Sequence, residues 1–146
     1  MSRLTMTSTE RETFLAGVHV GTLSVDEPGR GPLTVPVWYA YSPGGTVDII
    51  TGAQSAKARR LRAAGRCSVC AQTEEPPYSY VSVEGPVSAE ESTVSPDERR
   101  AMAYRYLGPE FGDLYLAATA EDAAQSIVFR LSPERWLTTD FSKQFG

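Results

Sequence analysis

The residues best suited to chemistry fall in one stretch, ITGAQSAKARRLRAAGRCSVCAQ at residues 50–72. Thr51 and Ser55 bring hydroxyls, and Ser55 stands where it can cap a helix by accepting a free first-turn N–H. Lys57 lies in that turn, and Arg59, Arg60, Arg62 and Arg66 follow, so five of the chain's 14 basic residues occupy ten positions. Helix-start N–H groups, hydroxyls and clustered cations together suit a phosphate. The same residues also fit a solvated basic helix with an ordinary cap, and composition does not separate the two. Lys57 and Arg60 are three apart and share a side, while Arg59, Arg62 and Arg66 make a second stripe.

Other reactive side chains carry less. Cys67 and Cys70 have C-x-x-C spacing, but CSVCAQ reads as a strand, where residues three apart point to opposite sides. They read as free thiols. Zinc needs further ligands, and His19 is the one histidine, so no metal site is expected. His19 itself reads as structural rather than catalytic. No G-x-S-x-G, H-E-x-x-H or P-loop pattern is present. The catalytic residues are therefore unknown, and a phosphate site without a nucleophile or acid–base pair points to a cofactor that carries the chemistry.

The elements that must position these groups follow from periodicity. A helix is expected at residues 9–16, with Thr9 and Glu12 as a capping box. Strands at 18–25, 33–41 and 46–51, joined by DEPGRG and SPGG, form an expected antiparallel meander. Pro36 within the second marks an edge, a bulge or a ligand-facing opening. Trp38, Tyr39 and Tyr41 beyond it fit barrel core or interface. The basic helix leads into CSVCAQ, then to the alternating strand at 78–87, in which Val81, Val83, Gly85 and Val87 face one way. Ser95, Pro96 and Glu98 open a helix that runs to about Leu107, and a second helical piece covers 109–118. Residues 121–124 read as a loop, 125–131 as a last strand, and SPERWLTTDFSKQFG as a tail. Such short strands with inserted helices fit a mainly β, α+β single domain over residues 1–146: an antiparallel β-barrel with peripheral helices.

A net charge of -4 and a pI near 5.0 make the basic cluster local, so no nucleic-acid partner is expected. No apolar run approaches the roughly 20 residues of a membrane span, and the N-terminus lacks an apolar signal core. A cytoplasmic protein without a membrane partner is the expectation.

In the order VHVGTLSV–turn–LTVPVWYAY, ITGAQSAKARRLR–strand, VSVEGPV and RLSPERW, the chain resembles the pyridoxamine-phosphate-oxidase-like split β-barrels that bind flavin or deazaflavin. The resemblance implies that Thr51, Ser55 and Lys57 hold a cofactor phosphate as T-x-x-x-S-x-K. It also implies that Val35, Pro36, Val37 and Trp38 run along the ring, largely through backbone atoms. Ala56 stands where the vitamin oxidases often have arginine, so Arg59 or Arg60 must help if a second cation is needed. The arginine- and histidine-bearing tail of those oxidases has no counterpart after Trp136, so the chain is not expected to be a true pyridoxamine-phosphate oxidase. K-A-R-x-L-R and E-E-P-P-Y are closer to the actinobacterial branch that uses F420. The implied function is an F420-dependent reductase acting on a small unsaturated or conjugated molecule. FMN in the same fold is one alternative, and a non-catalytic flavin, deazaflavin or heme carrier is another. The resemblance also implies a homodimer with cofactor at the subunit interface, burying Trp38 and the Trp136 region. A surplus of cations beside the phosphate would suit the acidic tail of F420.

Overall fold

Local signals set the helices of the computed structural model, which describes residues 2–146. Helix α1 (Ser8–Ala16) starts earlier than expected, because Thr7 and Glu10, not Thr9 and Glu12, form its capping box. Glu12 instead accepts from the Tyr41 hydroxyl at 3.0 Å and the Gly44 N–H at 2.8 Å, tying α1 to the β-turn beyond Tyr41. Ser55 caps α2 (Ala56–Ala64), which ends at Gly65 in the left-handed conformation that glycine favours. Ser95 caps α3 (Pro96–Ala118), with proline at its first position. At Gly108 (φ 77°) α3 breaks, so the expected two helical pieces at 96–107 and 109–118 are both present. The expected loop at 121–124 is mostly a short helix, α4 (Ala120–Ala123). No helix of the described residues is long and apolar enough to cross a membrane.

Seven strands make one curled antiparallel sheet: β1 (Gly21–Val25), β2 (Leu33–Val37), β3 (Val47–Gly52), β4 (Arg66–Gln72), β5 (Ser79–Glu90), β6 (Ser126–Leu131) and β7 (Arg135–Asp140). The order is β2-β1-β4-β5-β6-β3, with β7 added beside β5. This is the expected split barrel, but the meander is not. The β2 and β3 strands sit at opposite ends of the order, and among the described residues β3 meets the segment that follows β2 at one bridge, Asp48 to Ala40. The reason lies at Trp38, where the chain leaves β2: the Tyr39 N–H is taken by the Tyr106 hydroxyl at 2.9 Å instead of by a strand neighbour. The first strand is also shorter than expected. His19 turns back to give its Nε2 proton to the Phe14 carbonyl (3.0 Å) and stacks on the Phe14 ring, leaving Val18 and Val20 exposed.

The expected tail contains β7. Its pattern hides it, because the apolar Leu137 faces solvent while Thr138 is buried, accepting from the Met6 N–H at 3.0 Å. Trp136 is half-buried and packs against the core beside Tyr41, with Arg11 over its ring. Cys67 and Cys70 are free thiols on opposite faces of β4, and burial pushes the Cys67 thiol up to about 12.

The long β5 pairs with β7 through residues 79–84 and with β6 through Val87–Glu90, turning the barrel corner between them. Gly85 makes that corner possible. A Cβ there would lie 1.9 Å from the Ser132 carbonyl oxygen, part of the β6–β7 link that crosses over it. Gly85→Ala is therefore expected to destabilise the fold by at least about 2 kcal/mol. A urea midpoint equal to that of the unmodified chain would contradict this account of the corner.

Candidate functional site

The end of β3 and the start of α2 form a small cradle. Thr51 is buried, and its hydroxyl lies 3.0 Å from that of Ser55. Ser55 Oγ also accepts the Ala58 N–H at 3.0 Å. Within the described chain the N–H groups of Ala56 and Lys57 have no acceptor, as expected for the first turn of a helix. They share this end with the Lys57 side chain, and Arg60 follows one turn on. Among the described residues neither Lys57 nor Arg60 makes a hydrogen bond or ion pair, and both are half-buried.

The second stripe of cations is not available in the same way. Arg59 donates to the Gln54 carbonyl at 2.6 Å. Arg62 bonds the Ala53 carbonyl and forms a two-pronged pair with Glu91 at 2.8 and 3.0 Å. That hydrogen bond holds the Glu91 carboxyl below its ordinary value and raises Arg62. Arg66 lies in β4, not α2, and pairs with Glu134 at 2.9 Å. The surplus charge expected from the sequence thus narrows: carboxylates pair with Arg62 and Arg66, Arg59 is tied to a backbone carbonyl, and Lys57 and Arg60 are left without a partner among the described residues.

Beside the cradle, the open seam between β2 and β3 holds a cavity of about 310 Å³. Trp38, Ile50, Thr51 and Gly52 line it from the sheet side. Of the four residues expected to run along a ring, only Trp38 reaches it. Val37 is buried in the core, Val35 packs against the core, and Pro36 faces a separate cleft with Val18, Val20, Pro76 and Pro77. What Val35–Val37 can offer is backbone, since β2 pairs on one side only, with β1. Trp38 is fixed by stacking on Tyr106, with ring centroids 4.9 Å apart and planes 5° off parallel. The Tyr106 hydroxyl in turn donates to the His19 carbonyl at 2.7 Å.

Sequence reasoning missed the rest of this wall: Arg99, Met102 and Ala103 from the first half of α3, Tyr115 from its second half, Thr119, Asp122 and Gln125 from the stretch before β6, and Ser126 at its start. The Gly108–Pro109 break was the available signal, because it folds the helix back on itself. Gly112 lies so close under Tyr104 that a Cβ would meet the ring at 2.6 Å. His19 is structural, and burial lowers its pKa. No group of three or more His, Cys, Asp or Glu among the described residues is placed to hold a metal ion.

Comparison with known proteins gives one family and a set of folds. The family described as pyridoxamine 5'-phosphate oxidase matches residues 7–140. A search of curated proteins gives no match. Among solved structures, a conserved hypothetical protein of Mycobacterium tuberculosis is similar at 22% identity and a TM-score of 0.78, over 100% of this chain and 92% of its own. A structure described as an F420 reductase is similar at 20% identity and a TM-score of 0.72, over 86% of this chain and 94% of its own. An FAD-binding protein of Mesorhizobium loti is similar at 21% identity and a TM-score of 0.67, over 92% and 94%. These likenesses establish a shared fold, and the match over nearly the whole sequence establishes descent. The chain belongs to the pyridoxamine 5'-phosphate oxidase family.

Proposed function

We propose that the protein is an oxidoreductase in which F420 serves the reduction of a small unsaturated or conjugated molecule. One observation carries the reading: uncommitted cations meet uncommitted N–H groups at the head of the seam. Among the described residues Lys57 and Arg60 have no partner and the Ala56 and Lys57 N–H groups have no acceptor, and the Thr51–Ser55 hydroxyl pair lies beside them. That donor set fits a phosphate. The unpaired backbone edge of β2, just before Trp38 and outside the cavity, supports a reading in which a flat ring joined to that phosphate runs along it. Reduced F420, when bound, supplies a hydride. The chain's own residues anchor the phosphate, orient the ring and exclude water from the seam. The similarity in fold to a protein described as an F420 reductase supports the same reading.

A second reading keeps the fold and replaces F420 with FMN. It is favoured by the carboxylate pairs of Arg62 and Arg66, which leave less charge for an acidic tail. Repeated turnover with any acceptor separates either enzyme from a carrier.

Lys57→Ala is expected to weaken cofactor binding by about 1.5–3 kcal/mol, the range for a charge-assisted contact. The fold should survive, because Lys57 supports no other group of the chain. Arg62→Ala is the control, expected to act mainly on stability through its Glu91 pair. Titration of both variants with F420 and FMN checks this, and equal affinities for Lys57→Ala and the unmodified chain would remove the site. F420 is expected to bind more tightly than FMN, with a steeper fall in affinity as ionic strength rises. A protein that purifies yellow with FMN and ignores F420 selects the second reading.

The proposed assembly is a homodimer that completes the cofactor site. The outer face of the sheet supports it: Pro36, Thr22, Cys70, Ser82 and Leu137 stand in register across five strands. Pro36, Thr22 and Leu137 in that row are exposed, and Val18 and Val20 extend it into the adjoining cleft. Light scattering should give twice the 15.9 kDa chain mass at micromolar concentration, and a stable monomer with cofactor present would refute the dimer.

A further inference from the structure

The cavity and the phosphate cradle share one residue. Ser55, Ala56, Lys57 and Arg60 stay outside the cavity, and Thr51 alone belongs to both. The remaining lining is uneven in chemistry. Trp38, with Tyr115 tilted beside it at 5.3 Å between ring centroids, forms a flat aromatic part with Ile50, Met102 and Ala103. Arg99 is the one cation in the lining. It is half-buried, and its Nη2 donates to the Thr119 carbonyl at 2.9 Å and contacts the Thr119 hydroxyl. Its Nε and Nη1 have no acceptor among the described residues, and it makes no ion pair there. Asp122 is the one carboxylate in the lining; it is exposed and is not bonded to Arg99.

We propose that this cavity takes a second molecule, distinct from the cofactor, and that Arg99 recognises it through a carboxylate on a small, planar, conjugated frame. The proposal rests on the oxidoreductase reading and names the acceptor class for it. Thr119 is a positioning residue: by holding one guanidinium nitrogen it fixes the side chain, so little freedom is lost when the other donors engage an anion. A neutral ligand of the same shape would desolvate Arg99 without pairing it, and that cost generates selectivity. The aromatic part favours a flat partner, since offset and tilted ring contacts add to simple burial. The volume of about 310 Å³ stands at the small end of ligand pockets, which limits the frame to one or two rings. Asp122 opposes the anion, but its exposure lets water and salt screen it.

The test uses the full chain, with and without bound F420, and two probes of matched shape, 2-naphthoate and 2-naphthamide. Calorimetric titration is expected to favour the carboxylate by about tenfold, the size of one charge-assisted hydrogen bond. Arg99→Gln should erase the preference by weakening naphthoate alone, and Arg99→Lys should keep part of it. Arg62→Ala, outside the cavity, should leave it unchanged. If Arg99→Gln does not fold, Asp122→Asn decides: removal of the rim charge should strengthen naphthoate by about twofold and leave naphthamide alone. No preference in the unmodified chain, a preference that survives Arg99→Gln, or no binding of either probe at millimolar concentration overturns the proposal. So does a loss of F420 or FMN affinity in Arg99→Gln as large as in Lys57→Ala, which would assign Arg99 to the cofactor. If neither cofactor binds while the carboxylate preference depends on Arg99, the oxidoreductase reading falls and the anion site stands.

Discussion

Among the described residues a single bridge, from Asp48 of β3 to Ala40 just after β2, spans the gap between the two end strands, and the strand edges left beside it must be answered by something other than another strand. Helix α3 gives that answer, and it is held over the seam from three directions. Glu98 in its first turn pairs with Arg130 at 3.0 Å, and Arg130 also takes Asp48 of β3 at 2.9 Å and Glu90 of β5 at 3.0 Å. Arg105 donates to the Ala16 and Gly17 carbonyls, at 3.2 and 2.6 Å, and Tyr106 occupies the Tyr39 N–H that a neighbouring strand would otherwise use. Three carboxylates around one guanidinium make a costly cluster, and burial pushes Asp48 up despite its arginine. Its value lies in position, because it fixes where α3 meets the open edge and so where the cavity forms.

The basic helix shows how spacing and partnership separate. The three-residue interval from Lys57 to Arg60 places them on one side, and both are without partners among the described residues. The other stripe also exists, but Arg62 meets a carboxylate 29 positions away and Arg66 one 68 positions away. Helical periodicity carries no information about such partners. The functional charge of a basic segment is what remains after tertiary carboxylates have taken their share.

The same division runs through the fold. Ser55 and Ser95 were legible as caps because the signal spans four residues, and Gly108–Pro109 was legible as a break because glycine and proline act locally. The alternation in β5 was legible where Val81 and Val83 are buried and Ser82 is not. Strand order was not legible, because β3 pairs with β6 about 80 positions later and nothing near Thr51 announces Ile127. The β7 strand was hidden by a threonine inside and a leucine outside. At the site, the cradle was readable residue by residue, whereas Arg99 and Tyr115 join Trp38 only because α3 crosses the seam. Family likeness supplied the barrel that periodicity could not order.

The cradle also has a direction of polarity that its geometry makes available. Ser55 Oγ accepts the Ala58 N–H, and the Thr51 hydroxyl is within hydrogen-bonding distance on its other side. Either hydroxyl can be the donor between them. When Thr51 donates, both acceptor positions of Ser55 are filled and its own proton is released outward. An anion at the start of α2 favours that arrangement, because it turns the last proton of the chain toward the negative charge together with the helix N–H groups. When Ser55 donates instead, its proton is spent inside the fold and the free proton is that of the buried Thr51. The buried Thr51 thus does more than fill space at the end of β3: it completes the acceptor demand of Ser55, so that the cap can serve its helix and a ligand at once.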